Sequence, residues 1–177
     1  MPNIELLSYM FSANGHLMSS QAPPQKSQRL KSPDFSDVSE SRRRNMSAIR
    51  SRDTKPEHTV RQLLYQLGYR FRLHRKDLPG HPDIIFPGRR KIIFVHGCFW
   101  HRHGCQNSVL PRTRREWWKA KLDRNVERDL AALSKLKELG WSPLVVWECQ
   151  VGDRAVLAEL LQKHLGPSGS YTGQMCY

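Results

Sequence analysis

The sequence predicts an α/β domain in which a central mixed sheet is flanked by helices. Three observations carry that reading. Short apolar runs at "DIIF", "KIIFV" and "LVVW" have the length of buried strands. Amphipathic stretches lie before and after them. Proline and glycine punctuate the joins, as in Pro87-Gly88 and Gly140.

Taken in chain order, residues 1–41 are rich in Ser, Pro and Gln without periodicity, and read as a disordered N-terminal extension. The folded domain is expected over 42–165, and 166–177 as a flexible tail. Thr54-Lys-Pro-Glu57 is a capping box with proline in the first turn, so a helix starts there. Val60, Leu63, Leu64 and Leu67 give it one apolar face, and Gly68 stops it. Tyr69, Phe71 and Leu73 alternate with polar residues and suggest a strand. The runs 83–86 and 91–95 are the next two strands. A long helix is expected over roughly 113–139, a further strand over 144–147 and a closing helix over 153–165. The order α-β-β-β-α-β-α makes an α/β sandwich with mixed antiparallel and crossover connections.

The chain has 177 residues, 29 Lys and Arg, 16 acids and a net charge of +13. Residues 1–40 hold three cations against four acids, and residues 151–177 are neutral, so 41–150 carries the whole excess. Such concentrated charge points to nucleic acid, whose neutralised phosphates release counterions. No apolar run is long enough for a membrane span, and no basic stretch precedes an apolar core as in a secretory signal. The cysteines are then expected to be reduced, which favours metal over disulfides.

"HGCFWHRHGC", His96 to Cys105, concentrates the chemistry. Cys98, His103 and Cys105 offer three ligands on one loop. Cys149 is the best fourth, because it follows one apolar strand as Cys98 follows another. If those strands are neighbours, both cysteines leave the sheet at one edge. Zn²⁺ suits a Cys3His set, and a four-ligand site is structural. Free thiols with a surface histidine are the alternative. Cys176 reads as a bystander.

Asp83, at a strand start after a Pro/Gly-rich turn, can hold a hard cation such as Mg²⁺ against a phosphate. It also suits a plain turn cap. His96 and His101 follow the next strand, and a neutral histidine can deprotonate water. His101 could instead be a metal ligand. Asp129 and Glu57 lie on helices that could turn toward the same sheet edge, or serve as a solvated charge and a capping residue. Phe99, Trp100 and Trp118 sit among basic residues and resemble wedges that unstack bases. Trp141 and Trp147 fit ordinary packing.

In this order, "NMSAIRSRDTKPE", "LPGHPDIIF", "FVHGCFWHRHGC", "WKAKLDRNVERD" and "LGWSPLVVWEC" resemble the very-short-patch-repair (Vsr) DNA mismatch endonucleases over about residues 42–150. The resemblance implies a restriction-endonuclease-like fold with one structural zinc, and Mg²⁺-dependent nicking of the T strand at T:G mismatches left by 5-methylcytosine deamination. By position it implies Asp83 as metal-binding carboxylate and His101 as general base. It also implies the Val95 carbonyl facing the metal, His96 and Asp129 holding its waters, and Glu57 supporting the base. Cys98, His103, Cys105 and Cys149 become the zinc set. Met46, Phe99, Trp100 and Trp118 match residues that invade the stack, with Arg42, Arg43 and Arg44 adding general affinity. Double-stranded DNA is the expected partner, with contacts to repair-pathway proteins, for a monomer acting in the bacterial cytoplasm beside the nucleoid. The loop reads His-Arg-His-Gly where a histidine-rich run is common in that family.

Two other classes compete. A non-enzymatic zinc DNA-binding module would make Asp83 and His101 incidental. A histidine–metal ββα nuclease would need its histidine at a hairpin end, which a strand-borne Asp83 argues against.

Overall fold

The computed structural model describes residues 32–48, 52–73 and 75–168. Helices α1 (Glu40–Ser47) and α2 (Lys55–Gln66) precede strands β1 (Arg72–Leu73), β2 (Ile84–Phe86) and β3 (Lys91–His96). Helix α3 (Arg115–Glu138), strand β4 (Ser142–Trp147) and helix α4 (Arg154–Leu165) follow. The four strands form one sheet in the order β1-β2-β3-β4. The first two pairings are antiparallel, and β3 pairs with β4 in parallel. A parallel neighbour needs a crossover, and α3 supplies it.

Side-chain alternation divides the core between the two faces of the sheet. Ile84, Phe86, Ile93 and Val146 pack against Val60, Leu63 and Leu64 of α2 and Leu157, Leu161 and Leu165 of α4. Ile85, Ile92 and Phe94 pack with Leu78, Leu136 of α3 and Trp141. Both faces are therefore covered, which explains why β2 reads as a continuous apolar run. The parity of β3 then points His96, two residues beyond Phe94, toward the α3 face.

The capping box forms as expected. Thr54 Oγ1 accepts the Glu57 N–H at 3.4 Å, and Glu57 Oε1 accepts the Thr54 N–H at 3.4 Å. At the other end, Gly68 takes φ +84° while the Tyr69 N–H reaches the Leu64 carbonyl. This Schellman closure corrects the expected strand at Tyr69. Tyr69 belongs to the helix terminus, its hydroxyl donates to the Gly166 carbonyl at 2.5 Å, and β1 keeps only Arg72–Leu73. Gly140 and Trp141 close α3 in the same way.

Helix α1 runs through the expected boundary at residues 41/42, and Gly166 and Pro167 accept hydrogen bonds from Tyr69 and Arg89. Residues 1–31 and 169–177, including Cys176, lie outside the described residues. No helix among the described residues is long and apolar enough to cross a membrane.

Gly80, in the turn before Asp83, has φ +74°. A Cβ there would stand 2.9 Å from the Ala132 Cβ and 3.2 Å from the Phe94 ring. Gly80→Ala therefore meets both a disfavoured conformation and an occupied space. It should destabilise the protein by about 1–3 kcal/mol, read as a lowered midpoint in urea with an unchanged slope.

Candidate metal centre and DNA-facing cleft

The β3–β4 register pairs His96 with Trp147. Cys98 and Cys149 each lie two residues beyond that last rung, so both leave the sheet at the same level. The loop after β3 turns back through Arg102 at φ +51° and Gly104 at φ +84°, which brings His103 and Cys105 over the strand ends. The donor atoms of Cys98, His103, Cys105 and Cys149 all lie within 4.8 Å of one another. His103 Nδ1 is 3.7 Å from the Cys98 sulfur and 3.4 Å from the Cys149 sulfur. Around a tetrahedral ion with ordinary Zn–S and Zn–N bonds, that edge measures about 3.5 Å. The His103 ring stacks on Trp147 with centroids 4.2 Å apart, which fixes its orientation.

The electrostatics also call for a cation. Burial pushes the Cys98 thiol up to about 12 and raises that of Cys149, while burial lowers His103. The thiols of Cys98 and Cys149 stay protonated unless a positive charge draws them into thiolates, whereas Cys105 is lowered, and a neutral imidazole suits ligation. The four residues could thus hold a metal.

A cleft of about 940 Å³ lies beside this loop. Asp83, Val95, His96, His101, Asp129 and Glu57 all line it, along with Met46 and Trp100. Asp83 precedes β2, and its Oδ2 accepts the Val95 N–H at 2.8 Å. In an extended strand a residue's N–H and C=O share an edge, so the Val95 carbonyl emerges on the side of Asp83. His96 and His101 stack face to face at 3.8 Å. His101 Nδ1 makes a short hydrogen bond to the Asp129 carboxylate. A ring that donates from Nδ1 in its neutral form keeps a lone pair on Nε2. The donor atoms of His96, His101 and Asp129 also lie within 4.8 Å of one another.

Glu57 is brought to the cleft, but its carboxylate bonds elsewhere. It accepts from the Asp53 N–H at 3.1 Å, from the Thr54 hydroxyl at 2.9 Å and from Arg61 Nη2 at 2.7 Å. Arg61 also reaches Asp53 at 2.6 Å. Glu57 and Arg61 are both buried, so removing either strands a charge at a cost of about 3–5 kcal/mol. The sequence reading missed Arg61, although its i, i+4 spacing from Glu57 was visible. It also missed Arg52, Arg75, Lys76 and Arg128, the cations that line the cleft. Nothing local marks them out among the chain's many basic residues.

The aromatics form one cluster. Phe99 and Trp100 contact each other at 5.1 Å and rest on Trp118 at 5.3 and 6.0 Å. Lys121 Nζ stands 5.5 Å from the Trp100 ring centre and 5.2 Å from that of Trp118. Trp118 is only 7 % exposed, beneath the two rings that rest on it. It lies at the start of α3 under the loop and supports Phe99 and Trp100, both half-buried. Met46 is exposed, and Arg42, Arg43 and Arg44 are exposed on α1.

Comparison with known proteins shows the family. Residues 34–107 match the family model described as DNA mismatch endonuclease Vsr. A type II nicking enzyme, V.XorIIP of Xanthomonas oryzae pv. oryzae, is 50 % identical over 129 residues, covering 73 % of this chain and 95 % of the relative. The DNA mismatch endonuclease Vsr of Escherichia coli K12 is 46 % identical, over 67 % of this chain and 76 % of the relative. The type II nicking enzyme V.NmeAIP of Neisseria meningitidis serogroup A is 36 % identical, over 67 % and 84 %. The protein is a DNA endonuclease. More narrowly, it belongs to the Vsr DNA mismatch endonuclease family.

Burial lowers His96 to about 4, with His101 adding to the effect and Asp129 opposing it. An unfolded histidine titrates near 6.5, so between those values the unfolded chain binds more protons. Stability from a neutral His96 is therefore complete above about pH 6.5 and declines as pH falls toward 4. Urea unfolding at stepped pH should show this loss. His96→Asn should flatten the slope across that window.

Proposed function

We propose that the protein nicks the T-containing strand at T:G mismatches by Mg²⁺-dependent phosphodiester hydrolysis. The observation that carries this reading is the His101–Asp129 hydrogen bond in a cation-lined cleft that also holds Asp83. Asp129 fixes the His101 ring and tautomer and stabilises the imidazolium that forms once Nε2 takes a proton from water. His96 keeps that ring in plane by stacking, and it stays neutral, so it adds no competing positive charge. Asp83 and the Val95 carbonyl are hard oxygen donors of the kind Mg²⁺ takes, and His96 and Asp129 would hold its waters. A divalent cation there supplies Lewis-acid stabilisation of charge on the phosphate. Glu57 supports this arrangement at a distance, by holding Arg61 and the α2 start against the cleft wall.

Zn²⁺ is our assignment for Cys98, His103, Cys105 and Cys149. A closed set of protein ligands is structural, and here it would fasten the Phe99–Trp100 loop to the ends of β3 and β4. The fold would then be of the restriction-endonuclease type, acting as a monomer in the cytoplasm. Cys149→Ser should lose about one zinc per chain by metal analysis and unfold at lower temperature. A variant that keeps both its zinc and its stability would rule out this ligand set.

Asp83→Ala and His101→Ala should bind a labelled T:G duplex near normally, yet nick it at least about 100-fold more slowly in Mg²⁺. If His101→Ala nicks well while His96→Ala does not, the base is misassigned.

Phe99, Trp100, Met46 and Trp118 would read the mismatch as deformability, because a T:G wobble pair stacks poorly. Unstacking a step takes a few kcal/mol, so a small saving at the mismatch gives a large discrimination ratio. Trp100→Ala should lower the T:G to C:G binding ratio more than it lowers overall affinity. Overall affinity should follow Arg42–Arg44 and fall with salt. Titrations of both duplexes across a salt series separate these effects.

A further inference from the structure

Helix α1 presents an unusual problem of placement. It carries Met46 to the rim of the cleft, yet none of its residues is buried. A helix of 8 residues is too short to be stable alone, and this one packs no apolar stripe against the core. Its position must come from its anchors.

One anchor is explicit. Arg114, the N-cap residue just before α3, adopts φ +52°. Its guanidinium donates twice to the Asp34 carbonyl, from Nε at 3.1 Å and from Nη2 at 2.8 Å. Nη2 also pairs with the Asp37 carboxylate. The same group stands 5.0 Å from the Phe35 ring centre, and Phe35 meets Trp117 edge-on at 5.7 Å. The segment that docks is itself shaped for the contact. Ser36 holds the Asp34 carboxylate through its N–H at 2.9 Å and its hydroxyl at 2.7 Å. That leaves the Asp34 main-chain carbonyl to Arg114. The Val38 N–H then closes a turn on the Phe35 carbonyl, and Arg43 of α1 donates back to the Val38 carbonyl at 3.0 Å.

The receiving residues are Arg114, at the N-cap, and Trp117, in the first turn, of the helix that also carries Trp118 and Asp129. We infer that Arg114 and Trp117 are positioning residues, which dock the Asp34–Asp37 segment and so hold Met46 opposite the aromatic loop before DNA arrives. Both walls that grip the duplex are then referenced to one rigid helix. Preorganisation of this kind removes an ordering cost from binding, so it acts on affinity and leaves the chemical step alone. The inference rests on the DNA-cleaving activity and on Met46 meeting DNA.

The test uses the full chain with its metals and a labelled T:G duplex. Variants are Phe35→Ala, Asp37→Asn, Arg114→Gln, the Asp37→Asn/Arg114→Gln double and the conservative Phe35→Tyr. Each of the first three should raise KM roughly three- to tenfold and leave the rate at saturating duplex unchanged. The double variant should be no worse than Arg114→Gln, because both changes break one contact. Phe35→Tyr keeps the edge-on contact and should behave as wild type. In the free protein, millisecond amide exchange of residues 40–47 should quicken in the same three variants, with the melting temperature held. Three results would overturn the inference. Asp37→Asn could tighten binding, which would make the segment a competitor of phosphate. Arg114→Gln could be the one variant that weakens binding, with Phe35→Ala and Asp37→Asn as wild type, which would make Arg114 a direct DNA contact. Exchange in α1 could stay unchanged. Failure of the wild type to prefer T:G over C:G would instead count against the mismatch reading, and the exchange measurement would still judge the docking.

Discussion

The parallel ladder between β3 and β4 is the constraint on which the rest of the structure depends. It runs from the Lys91–Ser142 pair to the His96–Trp147 pair and sets both chain exits at one height. Cys98 and Cys149 meet only because of that register. A slip of one residue would turn His96 and Cys98 to the opposite faces and separate the thiols. Apolar burial on both faces holds the register, since Ile92 and Phe94 face α3 while Ile93 faces α2 and α4.

The same ladder organises the cleft. Its end places His96 on the α3 face, where His101 stacks and Asp129 bonds. The antiparallel partner β2 delivers Asp83 to the Val95 N–H from the other side. Two sets of side chains with different chemistry therefore share one strand end. The soft set of three sulfurs and an imidazole could hold a metal at the loop, and the set of carboxylates and histidines lies in the cation-lined cleft.

Helix α3 joins the layers. Leu136 near its C-terminus sits in the core under Phe94, Asp129 in its middle reaches His101, and Trp118 at its start carries the aromatic loop. Lys121 sits against the rings of Trp100, Trp117 and Trp118, which lets aromatic surface persist in a basic region. The helix thus spans from core packing to the aromatic cluster beside the cleft without a break.

By itself the sequence determined the features that depend on near neighbours. The Thr54–Glu57 cap, the strands at 84–86 and 91–96 and the long third helix follow from local pattern, because capping and alternation act within a few residues. The Cys98, His103 and Cys105 spacing pointed to a loop that could hold a metal for the same reason, and Cys149 joined the cluster once two apolar strands were taken as neighbours. Tertiary structure decided what depends on who packs against whom. Trp118 looks like Trp100 in sequence, but only the fold puts one beneath the other. Glu57 and Arg61 are ordinary helix charges until burial makes them an obligate pair. Tyr69 alternates like a strand residue, yet the closure of α2 on Gly68 and the distant Gly166 carbonyl claim it. In each case the deciding energy comes from removing a group from water, and burial is a property of the assembled chain that no short stretch of sequence contains.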